Sequence, residues 1–284
     1  MEWLTDPLTY SFMQRGMAAS VIVGVLCAVI GCYVVLRGMA FLGDAMAHAI
    51  LPGIAIAYLL KGDLLIGALI AAIIVALAIG FLSRQGTIKE DTAIGILFAG
   101  ALAFGVALIS TIKTYAVDLS HILFGNVLGV SENDLLMTAA LAVLVLATIV
   151  ALFKEFLVVS FDPVLAATIR LPAERLRMLL LILLALTVVV SLQTVGVGLV
   201  AAMLVTPAAT AYLLTRRLAP MMFTSAAIGA FSSIAGLYAS FYINVASGAA
   251  VVLIATLIFL IAFLFAPARG VVWQFIRAHR RIRA

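Results

Sequence analysis

Charge is scarce in this sequence, and that scarcity excludes most soluble folds. Only 10% of the 284 residues are Asp, Glu, Lys or Arg, whereas 66% are hydrophobic and the mean hydropathy is +1.31. So few polar side chains cannot cover a water-facing surface, so we expect an integral membrane protein with no separate soluble domain. The net charge of +5 comes from a small number of basic residues and does not indicate nucleic-acid binding.

Motifs that carry chemistry are equally rare. The two cysteines, Cys27 and Cys32, share one apolar run at a spacing typical of neither a zinc site nor a redox pair, so we expect packing residues. The chain has three histidines and no HExxH sequence. It also lacks the GxxxxGK[ST] phosphate loop, so we expect no nucleotide site and no permanently bound cofactor.

Long apolar runs fill most of the chain. They are rich in Leu, Ala, Val and Ile without strict alternation, which favours membrane helices over barrel strands. The predicted fold is an all-α bundle of eight or nine transmembrane helices within one permease-like domain, residues 1–284. The count stays open because the sixth and seventh runs merge around residues 193–198. The predicted spans are residues 14–36, 45–60, 63–83, 92–112, 134–153, 177–194, 197–215, 221–241 and 248–266.

The basic residues give the orientation. With an external N-terminus, all of the 17 Lys and Arg residues except Arg15, Lys61 and Lys113 fall on the cytoplasmic side. The positive-inside rule therefore predicts an external N-terminus and a cytoplasmic C-terminus. The Arg-rich tail, residues 277–283, is expected to meet anionic lipid.

An ionisable pair interrupts the second apolar run, in the segment GDAMAHAILPG at residues 43–53. Asp44 and His48 lie four residues apart, so on a helix they point to one side. A carboxylate with an imidazole suits Mn, Zn or Fe(II). The alternative is structural, with Asp44 as a helix cap and His48 as a buried, hydrogen-bonded side chain.

We favour the metal site because ionisable residues at membrane depth are costly and by default mark function. Two ligands do not complete a metal site. Water, backbone carbonyls or a second copy of the chain must supply the remaining ligands.

Other candidate entrance or pathway residues lie in three stretches. The acids that begin the fourth span also suit the helix dipole. An outside loop offers an acid and a histidine that suit a cation, or are simply solvated. A Thr-Pro break in the seventh span is typical of a pathway wall or of a satisfied kink. These candidates are Glu90, Asp91, Asp118, His121, Thr206 and Pro207.

The longest cytoplasmic connection, residues 154–177, contains a predicted amphipathic helix at residues 160–172. Asp162 is its predicted N-cap, Pro163 suits its first turn, and Pro172 is expected to end it. By itself the pattern fits either a helix on the membrane surface or a docking element for a soluble protein.

The string VLRGMAFLGDAMAHAILPGIA resembles a motif of metal-uptake permeases, the membrane subunits of manganese, zinc and iron ATP-binding-cassette importers. The strings EDTAIGILF, HILFGNVLGVS, FDPVLAATIRLP and VGVGLVAAMLVTPAATAYLL follow in the family's order. The resemblance runs from about residue 12 to residue 266.

This resemblance implies a fold related to vitamin B12 importer permeases, located in the bacterial cytoplasmic membrane. It implies a second permease copy or close paralogue, a cytoplasmic ATPase dimer and an extracytoplasmic metal-binding protein. Asp44 and His48 match the expected metal ligands of the family, and residues 121–131 are closer to its manganese-type members. The expected cargo is therefore manganese, with zinc or iron behind it. The implied coupling residues are Asp162, Pro163, Leu165, Ala166, Arg170 and Leu171.

Two other functions compete with an ATP-driven permease. A proton-coupled secondary transporter could use Asp44 and His48 as a relay, yet it would need no ATPase docking helix. An intramembrane metalloenzyme would need a richer ligand set than three histidines without HExxH provide. The expected function is therefore transport by a subunit that is not itself an enzyme.

Overall fold

Helices make up all the regular secondary structure in the part of the chain that the structure describes. The structure, a computed structural model, describes residues 6–84, 88–111, 127–266 and 270. A short 3-10 turn, Asp6–Thr9, precedes the first helix, and another, Val127–Gly129, precedes α6. The helices are α1 Ser11–Leu36, α2 Leu42–Ala49, α3 Leu51–Leu59, α4 Leu64–Ser83, α5 Glu90–Ser110, α6 Glu132–Ala151, α7 Phe153–Phe161, α8 Pro163–Thr168, α9 Ala173–Val195, α10 Val197–Leu214, α11 Leu218–Ile243 and α12 Ser247–Phe265.

Nine segments among the described residues are long and apolar enough to cross a bilayer. The all-α membrane bundle is thus confirmed, and the count there is nine rather than eight. The doubtful sixth and seventh spans are separate helices, α9 and α10, joined by Gly196 alone. Gly196 has φ +83° and ψ 164°, a conformation available almost only to glycine, so one residue suffices to end one helix and begin the next.

The second span is composed of two helices rather than one. It begins at Leu42, three residues before the predicted start, and it is interrupted at Ile50 between α2 and α3. Pro52 explains the interruption, because a proline without an N–H fits only the first turn of a helix and here lies in the first turn of α3. Asp44 and His48 both lie in α2.

The cytoplasmic connection differs from the prediction at its end. Asp162 Oδ1 accepts a hydrogen bond from the Leu165 N–H at 2.9 Å, which confirms the predicted N-cap. However, α8 ends at Thr168, and the prediction that Pro172 ends it was wrong. Arg170 adopts φ +59°, and the Leu171 N–H donates to the Ala166 carbonyl, which closes the helix in a Schellman-type turn. Pro172 instead precedes α9.

Small residues set the spacing of the helices around α1. A Cβ atom on Gly31 would overlap the carbonyl oxygen of Leu204 in α10, and one on Gly43 would lie 2.8 Å from the Leu204 side chain. Gly24 and Gly229 bring α1 and α11 together in the same way. Within a membrane such close contacts replace the hydrophobic effect as the source of helix association. Leu204 therefore holds α10 against both α1 and α2.

We predict that Gly31→Ala destabilises the bundle, because the added methyl group has no space beside the Leu204 backbone. Overpacking of this kind costs about 1–3 kcal/mol. Thermal unfolding of the detergent-solubilised protein measures the effect. Gly95→Ala on α5 is the matched control, since a Cβ there meets nothing within 4 Å. Equal unfolding temperatures for the two variants would contradict this account of the packing.

Candidate metal site

Helix α2 presents one narrow face outside the bundle. Across residues 41–50, all of which the structure describes, Phe41, Asp44 and His48 are the positions that are not buried. Their spacing of three and four residues places them along one side of a helix. The other side packs inward, with Gly43 against Leu204. Packing of the apolar face therefore determines that the carboxylate and the imidazole point out of the core.

The ionisable pair is close enough to share a cation. His48 Nε2 lies 3.7 Å from Asp44 Oδ1, and the side chains are 31% and 43% exposed. Ligand atoms about 2.0–2.2 Å from one metal ion can be separated by up to about 4 Å, so both atoms can reach the same ion. Asp44 is not the N-cap, because Phe41 holds that position, although Asp44 still lies in the first turn of α2, and His48 is only partly buried.

Phe98 of α5 lies beside the pair, although no motif in the sequence marks it. Its ring centroid lies 6.1 Å from that of His48 and 5.4 Å from that of Phe41, with Phe41 edge-on at 90°. A phenylalanine within an apolar helix gives no signal in the sequence. Only the packing of α2 against α5 reveals it.

Asp44 and His48 alone do not complete a set of metal ligands. Within the described ranges, no group of three or more His, Cys, Asp or Glu side chains is placed to hold a metal ion. The further ligands of an ion held by Asp44 and His48 would therefore be water, backbone carbonyls, residues outside the described ranges or groups of a second chain. Because both side chains are partly exposed, such ligands can approach them directly.

An apolar groove continues from the pair along the span. It has a volume of about 740 Å³ and runs between α3, α4 and α5, from Ala49 and Pro52 to Leu60 and Asp63. Asp63 lies at the far end, where its side chain accepts from the Leu65 N–H at 2.7 Å and caps α4. Ala49, which follows His48 directly, lines the near end of this groove.

Glu90 belongs to a charge cluster with Arg37 and Arg177, which the sequence did not predict because these residues are far apart in the chain. Its carboxylate lies 3.2 Å from the Arg37 guanidinium and 3.9 Å from that of Arg177. Arg177 also donates to Ser83 Oγ at 2.6 Å, at the end of α4. Burial lowers the pKa of Arg37 and Glu90 opposes that shift, so the guanidinium keeps its proton. Glu90 is thus a structural junction between the ends of α1, α4, α5 and α9.

The remaining candidates are dispersed. Asp91 is exposed beside Glu90. Pro207 is buried within α10, and the Thr206 carbonyl accepts a hydrogen bond from the Thr210 hydroxyl at 2.7 Å. Asp118 and His121 lie outside the described residues. Of the predicted site residues, the structure brings Asp44 and His48 together.

Residues 9–266 match the ABC-3 family, which is described as the ABC 3 transport family. The chain belongs to this family.

Close relatives agree along nearly the whole length. The chain is 48% identical over 273 residues to the manganese transport system membrane protein MntC of Halalkalibacterium halodurans, covering 96% of this chain and 94% of that protein. It is 42% identical over 262 residues to the chelated iron transport system membrane protein YfeD of Yersinia pestis, covering 92% and 88%. A solved structure of PsaBC from Streptococcus pneumoniae in complex with Fab superposes with a TM-score of 0.83 at 40% identity, covering 94% and 96%.

We predict that Glu90→Gln lowers stability while Asp91→Asn leaves it nearly unchanged. Removing one charge from a mostly buried ion pair leaves the partner guanidinium uncompensated, which costs about 3 kcal/mol. Substitution of the exposed Asp91 changes stability by about 0.5 kcal/mol or less. The unfolding temperature of each purified variant tests the difference. Two equal shifts would contradict a structural role for the cluster.

Proposed function

We propose that this protein is the membrane permease of an ATP-binding-cassette importer that carries a divalent transition metal into the cytoplasm. The observation that carries the proposal is the Asp44–His48 pair, partly exposed on a helix that is otherwise buried. Family membership and relatives named for manganese and iron transport support it. A multi-pass bundle in the bacterial cytoplasmic membrane provides the setting.

A second permease copy completes the metal site in this proposal. Two pairs facing each other across a two-fold axis give two carboxylates and two imidazoles around one ion. Half-sites on separate subunits suit transport, because a closed site of four fixed ligands on one chain would hold the ion too tightly. The partial exposure of Asp44 and His48 supports this arrangement.

Manganese is the proposed cargo, ahead of iron and then zinc. Oxygen and imidazole ligands accept all three metals, and intrinsic affinity rises from manganese to zinc, so the ligands alone do not select manganese. Neither of the two cysteines lies in α2, so no thiolate of that helix favours zinc. The preference for manganese rests on relatives such as MntC.

The orientation follows from the basic residues. An external N-terminus places the Arg37 end of α2 in the cytoplasmic half and the Asp63 end of the groove in the outer half. An extracytoplasmic metal-binding protein would then deliver the ion from the groove side, and the ion would leave past Phe41.

Helix α8 is the proposed contact with a cytoplasmic ATPase dimer. Its exposed side chains include Val164 (76% exposed) and Leu165 (47%), with Ile169 after its last turn. Ala166 is fully buried and packs α8 against its own chain. Its proposed role is therefore to position the helix rather than to contact the ATPase. Apolar side chains exposed in the cytoplasm need a covering partner. This patch also favours the ATP-driven permease over a proton-coupled transporter.

We predict that Asp44→Ala and His48→Ala each reduce metal uptake at least a hundredfold, because each removes a ligand from both halves of the site. Uptake of ⁵⁴Mn by cells that also express the cognate ATPase and binding protein measures this. Glu132→Gln is the control, since it removes an exposed acid at the start of α6 that is not among the candidate residues. Co-purification of the ATPase checks assembly. Normal uptake in both site variants would remove the metal site from the proposal.

We predict that Asp162→Ala weakens ATPase docking, whereas Asp162→Asn preserves it. Asn replaces Asp as an N-cap at little cost, while Ala loses the bond to the Leu165 N–H, worth about 1 kcal/mol. The fraction of ATPase that co-purifies with each permease variant is the measurement. Retention at the wild-type level in Asp162→Ala would argue against docking on α8.

A further inference from the structure

The face of α2 that carries the metal ligands begins with an aromatic side chain. Phe41 lies three residues before Asp44, on the Arg37 side, and is 44% exposed although its next two neighbours along the chain are buried. The order along this face is therefore Phe41, Asp44 and His48. Phe41 therefore continues the exposed face of Asp44 and His48 toward Arg37.

Phe98 brings a second ring to the same place from a different helix. Its ring centroid lies 5.4 Å from that of Phe41, in edge-on contact, and 6.1 Å from that of His48, in a tilted contact. Phe98 therefore contacts both the His48 ligand and the Phe41 ring. The two phenyl groups thus form a contiguous apolar surface beside the ligands. The groove on the opposite side of the ligands extends toward Asp63.

We infer that Phe41 and Phe98 form the apolar barrier that closes the metal path between the Asp44–His48 site and the cytoplasm. The inference rests on the proposed function, since it requires a second copy whose rings meet these across the two-fold axis. The Phe41 and Phe98 rings of two copies would then line the path with four phenyl groups, an apolar constriction that water does not fill. A hydrated divalent cation cannot cross such a constriction until the rings separate.

The charge cluster connects this barrier to the proposed ATPase contact. Arg37 lies four residues before Phe41, and Glu90 lies eight residues before Phe98, about 12 Å along α5. The Arg37–Glu90 ion pair at 3.2 Å therefore links the two segments that carry the rings. Arg177 of α9, which follows α8 in the chain, lies 3.9 Å from the same carboxylate. A movement of α8 and α9 can thus be transmitted through these ion pairs to the segments that carry Phe41 and Phe98.

The test measures access to the site from the cytoplasmic side. Asp44→Cys is labelled with a membrane-impermeant cationic thiosulfonate in inside-out vesicles that contain the permease and its ATPase without nucleotide. We expect labelling at least tenfold faster when Phe41→Ala and Phe98→Ala are added. Leu at both positions keeps the apolar bulk and should keep labelling slow. The chain without Asp44→Cys gives the background from the buried Cys27 and Cys32.

Phe81→Ala is the matched control, because Phe81 is an exposed phenylalanine on α4. An unchanged rate in the double Ala variant would overturn the barrier. So would equal acceleration by Phe81→Ala, which would indicate general loosening, or acceleration seen only in right-side-out vesicles. Labelling does not depend on transport, so ATP-driven manganese uptake by the wild-type complex tests the proposed function separately.

Discussion

The close packing of α10 on α1 and α2 is the constraint from which the site follows. Leu204 contacts α1 where Gly31 has no side chain and contacts α2 beside Gly43. This contact buries one side of α2 and leaves the opposite side, with Asp44 and His48, outside the core. A polar pair in a membrane protein is normally turned toward other protein or a cavity. Here the chain's own packing turns the pair away from its core.

A second level of organisation comes from the charges at the Arg37 end of the bundle. Glu90 balances two guanidinium groups from helices distant in sequence, and Arg177 extends the contact to Ser83. Such a network is costly to bury and contributes little net stability compared with apolar packing. Its value lies in fixing the relative position of helix ends. Those ends belong to the segments next to Asp44 and Phe98 and to the helix that follows α8.

The parts of this structure that depend on local pattern were predictable from the sequence. Apolar runs predicted eight or nine spans, of which the described residues contain nine, and a four-residue spacing placed Asp44 and His48 on one side of a helix. The N-cap at Asp162 followed from the chemistry of a single side chain. Each of these features involves residues close together in the chain.

What the sequence did not reveal depends on contacts between distant segments or on unusual backbone. Glu90 looked like a helix-capping acid because its partner Arg177 lies 87 residues further along the chain. The C-terminus of α8 was misplaced because a non-glycine residue, Arg170, takes the left-handed conformation there. The association of Phe98 with His48 could be seen only once α2 and α5 were packed together.

The stoichiometry of metal binding tests the central claim most directly, namely that two copies share one ion. Equilibrium binding of Mn²⁺ to the purified permease–ATPase complex, counted against the number of permease chains, provides this number. The account predicts one ion for every two permease chains, and none when both chains carry His48→Ala. One ion per chain, or binding that survives His48→Ala in both chains, would contradict it.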